Sequence, residues 1–377
     1  MMDLAFSNAR VVADGEMARG SMLVRAGRVE SVDFGSSRVG EDFEGDLLLP
    51  GIIDLHTDNL EKHYFPRPNI DWDPASAAIV HDGLCASVGV TTVYDSLSLG
   101  AYSNAARTED NLAHLVLGLE QALQSKQLKI DHRLHWRCEL TASELGARLD
   151  RFVAHPRTGL LSLMDHTPGQ RQYKNIDRFL KTWRSEGASD RDIEERLASA
   201  RARQAEWVAP NRKLVSRLAA DRSVPLAAHD DETEEHVDLA AAAGATIAEF
   251  PVTMGAAKRS RAHGMAIVMG GPNLIRGGSY SGNIGAQEVA ECGLLDGFAS
   301  DYVPRSLIEC AFRLTEAPFF CSIAQAWETV SGAPARALGL ADRGALAQRL
   351  RADFIRVALV EGRPIVRGVW VEGRRVA

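Results

Sequence analysis

Short apolar runs that end in polar residues recur through the middle of the chain. They fall at 51–56, 90–95, 133–139, 160–166, 225–229, 246–250, 265–272 and 298–301. Between them the apolar period lengthens, and the spacing predicts helices over 75–88, 108–127, 141–153, 233–243, 253–263, 285–293 and 305–315. Eight such alternations predict an α/β protein built as a closed (β/α)8 TIM-like barrel. An open, doubly wound sheet is the rival. Against it, the first strand lacks a GxGxxG turn, and no GxxxxGK[ST] phosphate loop occurs. Residues 175–222, rich in Arg, Glu, Ala and Asp, predict two exposed amphipathic helices inserted after the fourth strand.

The two chain ends follow a different rhythm. Leu4-Ala5-Phe6, Val11-Val12 and Ser21-Met22-Leu23-Val24 are separated by Gly15, Gly20 and Gly27. Near the other end, the run 354–360 precedes Glu361-Gly362, and Val369-Trp370-Val371 precedes Glu372-Gly373. Both read as hairpins. Each is too short for a core of its own, so we expect 1–49 and 345–377 to join as one small β-sandwich domain beside a barrel spanning 50–344.

Composition narrows the function. The chain has 377 residues, 45% of them apolar and 25% charged, which excludes global disorder. A net charge of −7 gives no support to a nucleic-acid or anionic-membrane binder, so any anionic ligand must find local basic contacts. No apolar stretch is long enough to span a bilayer, and Met1-Met2-Asp3-Leu4 does not open a signal peptide. The five cysteines (Cys85, Cys138, Cys292, Cys310 and Cys321) are widely spaced with no CxxC, as expected of reduced thiols in a cytoplasmic protein.

In a barrel of this kind the chemistry sits where the strands end. Those ends carry His56-Thr57-Asp58, Asp95, Glu139, Asp165-His166, His229-Asp230-Asp231, Glu249, Asn273 and Ser300-Asp301. His56 and Asp58 are two apart, so on an extended chain both point into the mouth. Any one of these alone reads as a hydrogen-bonded structural residue. Together His56, Asp58, Glu139, His166, His229 and Asp301 form a mixed nitrogen and oxygen cage that suits Zn²⁺ or Mn²⁺. Two ions fit if a carboxylate, best Glu139, bridges them, and a hydroxide between them would be the nucleophile. His132 and His135 precede Glu139 and are candidates to back the ligands, whereas His81 is expected to pack on its helix.

Basic residues lie in loops at the same end: Lys62 and Arg67 after the first strand, Arg171 and Lys174 after the fourth, and Arg276 after the seventh. Asn273, Ser279 and the glycines around them add polar groups that suit phosphoryl oxygens. The cluster favours a polyanionic substrate over a neutral cyclic amide.

Longer strings carry a family likeness. Leu49-Pro50-Gly51-Ile52-Ile53-Asp54-Leu55-His56 is similar to the first-strand signature of the amidohydrolase superfamily. His56-Thr57-Asp58-Asn59-Leu60-Glu61-Lys62-His63, Pro66-Arg67-Pro68, His229-Asp230-Asp231-Glu232-Thr233, Ala248-Glu249-Phe250-Pro251, 271–279, Ser281-Gly282-Asn283 and Ser300-Asp301-Tyr302-Val303-Pro304 resemble one branch of it, the triphosphate hydrolases of phosphonate utilisation. The likeness covers about 49–317, in the alternating region that the barrel reading describes. It implies metal-dependent hydrolysis of alpha-D-ribose 1-methylphosphonate 5-triphosphate to the 5-phosphate plus diphosphate. It also implies that the six cage residues are ligands of two divalent ions, and that Asp301 handles the proton of the attacking water. The wider superfamily carries His-x-His where this chain has His56-x-Asp58, a departure that belongs to the branch. The expected partner is a small phosphorylated sugar phosphonate, with no nucleic acid or membrane. A homodimer stays open. Rival readings are a cyclic amidase of dihydroorotase or hydantoinase type, since the same cage polarises an amide carbonyl, and a non-catalytic scaffold. No ligand-type residue is missing, which disfavours the scaffold.

Overall fold

A computed structural model describes residues 3–67, 70–100, 109–185, 187–279 and 282–377. Pro68 and Ser281 of the quoted motifs lie outside the described residues. The N-terminal strands are β1 (Leu4–Ala13), β2 (Glu16–Arg25), β3 (Arg28–Phe34), β4 (Glu41–Asp42) and β5 (Leu47–Pro50). The barrel strands follow as β6 (Ile52–Thr57), β7 (Val90–Leu99), β8 (Asp131–Glu139), β9 (Thr158–Met164), β10 (Leu226–His229), β11 (Ile247–Glu249), β12 (Ala266–Gly270) and β13 (Gly297–Ala299). The chain closes with β14 (Phe354–Val360), β15 (Arg363–Val371) and β16 (Arg374–Arg375).

The terminal strands form one mixed sheet in the order β16-β15-β14-β5-β1-β2-β3, with β4 beside β1. Phe6 on β1 and Trp370 on β15 have ring centroids 5.4 Å apart. In a flat sheet, strands three apart would be separated by roughly 14 Å. The sheet therefore rolls over itself, and Phe6, Phe43, Phe354 and Trp370 fill the space between its halves. This is the small core expected from joining both ends.

The barrel is an ordered parallel run from β6 to β13. Helices α1 (Asn59–Tyr64) and α2 (Pro74–Ser87) follow β6, α3 (Glu109–Gln124) follows β7, and α4 (Leu145–Phe152) follows β8. After β9 come α5 (Asp177–Ser185) and α6 (Asp190–Arg222), the helical insertion. Ser189 starts α6 with a capping box, its side chain on the backbone of Asp192 and the Asp192 carboxylate returning to the Ser189 N–H. Then come α7 (Glu234–Ala242), α8 (Met254–Ala262), α9 (Gly271–Ile275), α10 (Ala286–Glu291) and α11 (Ser306–Arg313).

Ile53, Leu55, Tyr94, Leu160, Ala227, Ile247, Val268 and Ala299 fill the barrel interior. The seam between β6 and β13 closes at two levels. Low down, Thr329 and Val330 lie between the strands, accepting from the backbone N–H groups of Phe298 and Ile53. At the mouth, Asp301 N donates to His56 O at 3.0 Å and Asp58 N to Asp301 O at 2.8 Å. Closure of the barrel thus sets Asp301 beside His56 and Asp58.

Candidate metal centre at the barrel mouth

Three strand ends turn their side chains inward by leaving the ordinary backbone region. Asp230, Phe250 and Asp301 have φ of 57°, 60° and 56°. Such values are uncommon without glycine and cluster at functional sites. Asp230 and Phe250 follow β10 and β11 directly and Asp301 stands two residues past β13, so each swings over the opening.

Glu249 organises the centre. It is fully buried at the end of β11, and its two oxygens meet His56 Nδ1 at 2.7 Å and His229 Nδ1 at 2.5 Å. The two imidazoles stack with centroids 5.6 Å apart. With both Nδ1–H groups donating to one carboxylate, each ring keeps its Nε2 lone pair for the mouth. Burial opposes the Glu249 charge, but His56, His135 and His229 hold its pKa well below the usual carboxylate range.

Two ligand sets result. His56, Asp58 and Asp301 bring donor atoms within 4.8 Å of one another, and so do His166, His229 and Asp230. The residues fit divalent ions by a direct observation. Asp230 Oδ2 is buried with no hydrogen-bond partner, and it lies 3.3 Å from His229 Nε2. Two acceptors facing each other at that distance call for a cation between them. The field at His56 says the same. Burial opposes its charge, yet Glu249 and Asp58 raise its pKa to about 10, and an ion on Nε2 would satisfy the same carboxylates.

The remaining predicted ligands are also at the mouth. His166 lies just past β9, and its Nδ1 is 2.8 Å from Glu139 Oε2. Glu139 also accepts from Thr141 Oγ1 at 2.7 Å. Burial works against the Glu139 charge, while His166 and Thr141 lower its pKa. In this arrangement Glu139 touches His166 of the second set. Asp58 is paired with Arg137, Nη1 to Oδ1 at 2.8 Å. Asp301 is mostly buried; burial first, and Asp58 after it, raise its carboxyl pKa.

A cavity of about 260 Å³ opens on these residues, lined by Asp230, Asp301, Asn273, Arg276, Ser279 and Tyr302 among others. Arg276 donates to Tyr302 Oη at 3.3 Å, and Lys62 Nζ lies 5.2 Å from the centroid of the same ring. Asn273 sits on α9, accepting from Ala286 N at 2.9 Å; the seventh run thus ends as a helix where strand was expected through Pro272. Arg171 is taken up by structure: its guanidinium meets the Asp231 carboxylate and His229 O, and its N–H meets Glu232. It ties the His166 loop to the His229 loop. Arg67 and Lys174 are exposed and do not line the cavity.

One strand-end expectation is corrected. Asp95 is not at the mouth, because β7 continues to Leu99 and Asp95 faces the helices. There it lies 2.8 Å from His81 Nε2 and 2.8 Å from His132 Nδ1, so His81 and His132 belong to this separate buried cluster. His135 points inward beneath His56, held by Ser96 and Ser162 at 3.0 Å each, and burial lowers its pKa to about 3. Asp230, Glu249 and Arg137 also stand at the mouth, beside the six residues expected as ligands.

A scan against protein-family models finds no match. The chain is 38% identical over 377 residues to alpha-D-ribose 1-methylphosphonate 5-triphosphate diphosphatase of Escherichia coli strain K12, covering 99% of this chain and all of that protein. It belongs to the family of these diphosphatases. This diphosphatase family lies among the metal-dependent hydrolases of the amidohydrolase superfamily. Solved structures agree on the fold alone. A 5-methylcytosine deaminase from Klebsiella pneumoniae superposes with a TM-score of 0.67 at 14% identity, covering 99% of this chain and 98% of that one. A D-hydantoinase gives 0.56 at 13%, over 100% and 95%.

Proposed function

We propose that this chain hydrolyses alpha-D-ribose 1-methylphosphonate 5-triphosphate to the 5-phosphate and diphosphate. One observation carries the reading: the cavity that begins at Asp230 and Asp301 ends at Arg276, Asn273 and Ser279. Its carboxylate end, Asp230 and Asp301, belongs to the two candidate metal sets, and its basic, amide-rich wall suits phosphates. A cyclic amide would have no use for that wall.

Two divalent ions, Zn²⁺ or Mn²⁺, would be held by His56, Asp58 and Asp301 and by His166, His229 and Asp230. When bound, such ions supply Lewis acidity and lower the pKa of water toward ~7. The protein does the rest. Glu249 keeps both imidazoles in one tautomer and one orientation. Asp301, with its raised pKa, takes the proton of the attacking water on its carboxylate. Lys62 and Arg276, gathered around Tyr302, offset the distal phosphate charge. Gly277 and Gly278, at φ of 77° and 152°, let the backbone approach the same phosphates. A cytoplasmic location suits the five cysteines, none of which is paired.

Phosphorus NMR of the products tests the proposal. Incubation with the ribose methylphosphonate triphosphate and Zn²⁺ or Mn²⁺ is expected to give inorganic diphosphate and the 5-monophosphate. Release of a single orthophosphate, or opening of dihydroorotate or hydantoin with the triphosphate intact, would refute it.

A further inference from the structure

Arg137 is the one cation built into the floor of the mouth among the described residues. It lies on β8 with His135 and Glu139, two residues to either side, so all three face inward. Its side chain is only 14% exposed. Nη1 donates to Asp58 Oδ1 at 2.8 Å, and Nε points at Met164 Sδ at 3.3 Å. These are its only hydrogen bonds among the described residues. A guanidinium offers five N–H donors in a rigid fork, so most of this one is uncommitted.

Other arginines near the mouth are placed differently. Arg171 is as buried as Arg137, but its charge holds two loops together, Nη1 meeting the Asp231 carboxylate and the His229 carbonyl while Nε lacks a partner, and Arg276 stands exposed on the rim. Burying a guanidinium with one ion pair and spare donors is costly if its task is only to hold Asp58. A single N–H of a lysine or an amide would do that. The cost has a return when charge arrives beside the free edge, because fixed donors in a dry site need no reorganisation.

We propose that Arg137 is a catalytic residue of the triphosphate reaction, with Asp58 anchoring one edge of the guanidinium and the free N–H groups binding a non-bridging oxygen of the phosphoryl group under attack. The proposal rests on the phosphohydrolase reading above. Burial opposes the charge, and Asp58, Glu249, Glu61 and Asp301 hold it in place, raising the Arg137 pKa above its ordinary value. Asp58 then has two jobs, contact with Arg137 and contact at 3.5 Å with His56 Nε2.

The test uses the full chain loaded with Zn²⁺ or Mn²⁺, in wild type, Arg137→Gln and Arg137→Lys. Gln keeps a hydrogen bond to Asp58 without the charge; Lys keeps the charge without the fork. The readings are metal content, kcat/KM for the triphosphate, and calorimetric affinity for inorganic diphosphate. Arg137→Gln is expected to retain metal, lose on the order of 10²-fold in kcat/KM, and bind diphosphate at least about 10-fold more weakly. Arg137→Lys should recover part of both. Wild-type values in Arg137→Gln, or loss of metal together with activity, would reduce Arg137 to a support for Asp58 and overturn the proposal. If Arg137→Gln does not fold, Arg137→Lys decides: unchanged kcat/KM there also overturns it. A wild-type enzyme that does not cleave the triphosphate would instead remove the underlying reading.

Discussion

Two clusters of histidine and carboxylate, one half-buried at the mouth and one fully buried, stand in this barrel, and they do opposite things. The mouth cluster joins His56, His166 and His229 to Asp58, Asp230, Glu249 and Asp301. The other joins His81 and His132 to Asp82 and Asp95, between α2 and the sheet. By residue type both are metal-binding sets. They differ in what is left over. In the helix-side cluster, each Asp95 oxygen has an imidazole 2.8 Å away, and Asp82 Oδ1 accepts from Lys129 N and Ile130 N. At the mouth, Asp230 Oδ2 lacks a partner, two imidazoles keep an Nε2 lone pair, and a cavity leads in. Unsatisfied donor atoms with access make a site; the same side chains satisfied and sealed make a core.

The largest effect on the mouth cluster is expected at His229. His229→Ala should lower the triphosphate kcat by more than about 10³-fold, with metal lost and the melting temperature little changed. Metal analysis beside kinetics checks this, and an active, metal-replete variant would dissolve the site. Asp301→Asn comes next. Its barrel-closing bonds are main-chain, and Asn tolerates the positive φ, so the fold should persist. Loss of the proton acceptor should reduce kcat by ~10²–10⁴-fold. Near wild-type turnover with metal bound would take that role away from Asp301.

Glu249→Gln sharpens the distinction between ligand and support. An amide cannot accept from both Nδ1–H groups, so one imidazole must turn or change tautomer. Metal affinity should fall ~10- to 100-fold, the range for residues that orient ligands. Competition with a chelator measures it; unchanged affinity would mean that the histidines are held by other means.

These residues also mark where sequence reasoning stops. The alternation of runs and helices predicts the barrel and the small β domain joined from both ends, and it brings all six candidate ligands to the mouth, because strand ends in a barrel converge whatever the details. Asp95 misled because a run of β-type residues does not announce where its strand ends, and β7 continues to Leu99. Asp230 was hidden by its neighbour: only a left-handed backbone swings the residue after His229 into the mouth. In sequence Glu249 is only a charge at a strand end, since nothing in Ala248-Glu249-Phe250 tells which two histidines it will face. Arg137 had a usable signal, standing two residues before Glu139 and so on the same face of the strand.

The smallest effect on turnover is expected on the sealed side. Both ring nitrogens of His132 face carboxylates, Nδ1 at 2.8 Å from Asp95 and Nε2 at 3.3 Å from Asp82, with His81 on the far side of Asp95. Burial opposes the charged ring, but Asp95 and Asp82 overcome it and raise the His132 pKa to about 9. Burial likewise opposes charge on Asp95, and His132 and His81 bring that carboxyl down to about 2. A raised histidine stabilises the fold fully below its unfolded pKa of about 6.5, and that stability is lost as pH rises through the folded value. His132→Gln should therefore be less stable than wild type by about 3 kcal/mol at pH 6. The gap should close between pH 6.5 and about 9. Above that window the two proteins should denature alike. Asp95, depressed to about 2, contributes stability above about pH 4 that disappears only in strong acid, so it does not disturb the alkaline window. Urea titrations of both proteins from pH 6 to 10 measure the gap, with kcat followed in parallel. A gap independent of pH would mean that His132 is neutral in the fold. A fall in kcat as large as that expected of Asp301→Asn would mean that the two clusters act as one.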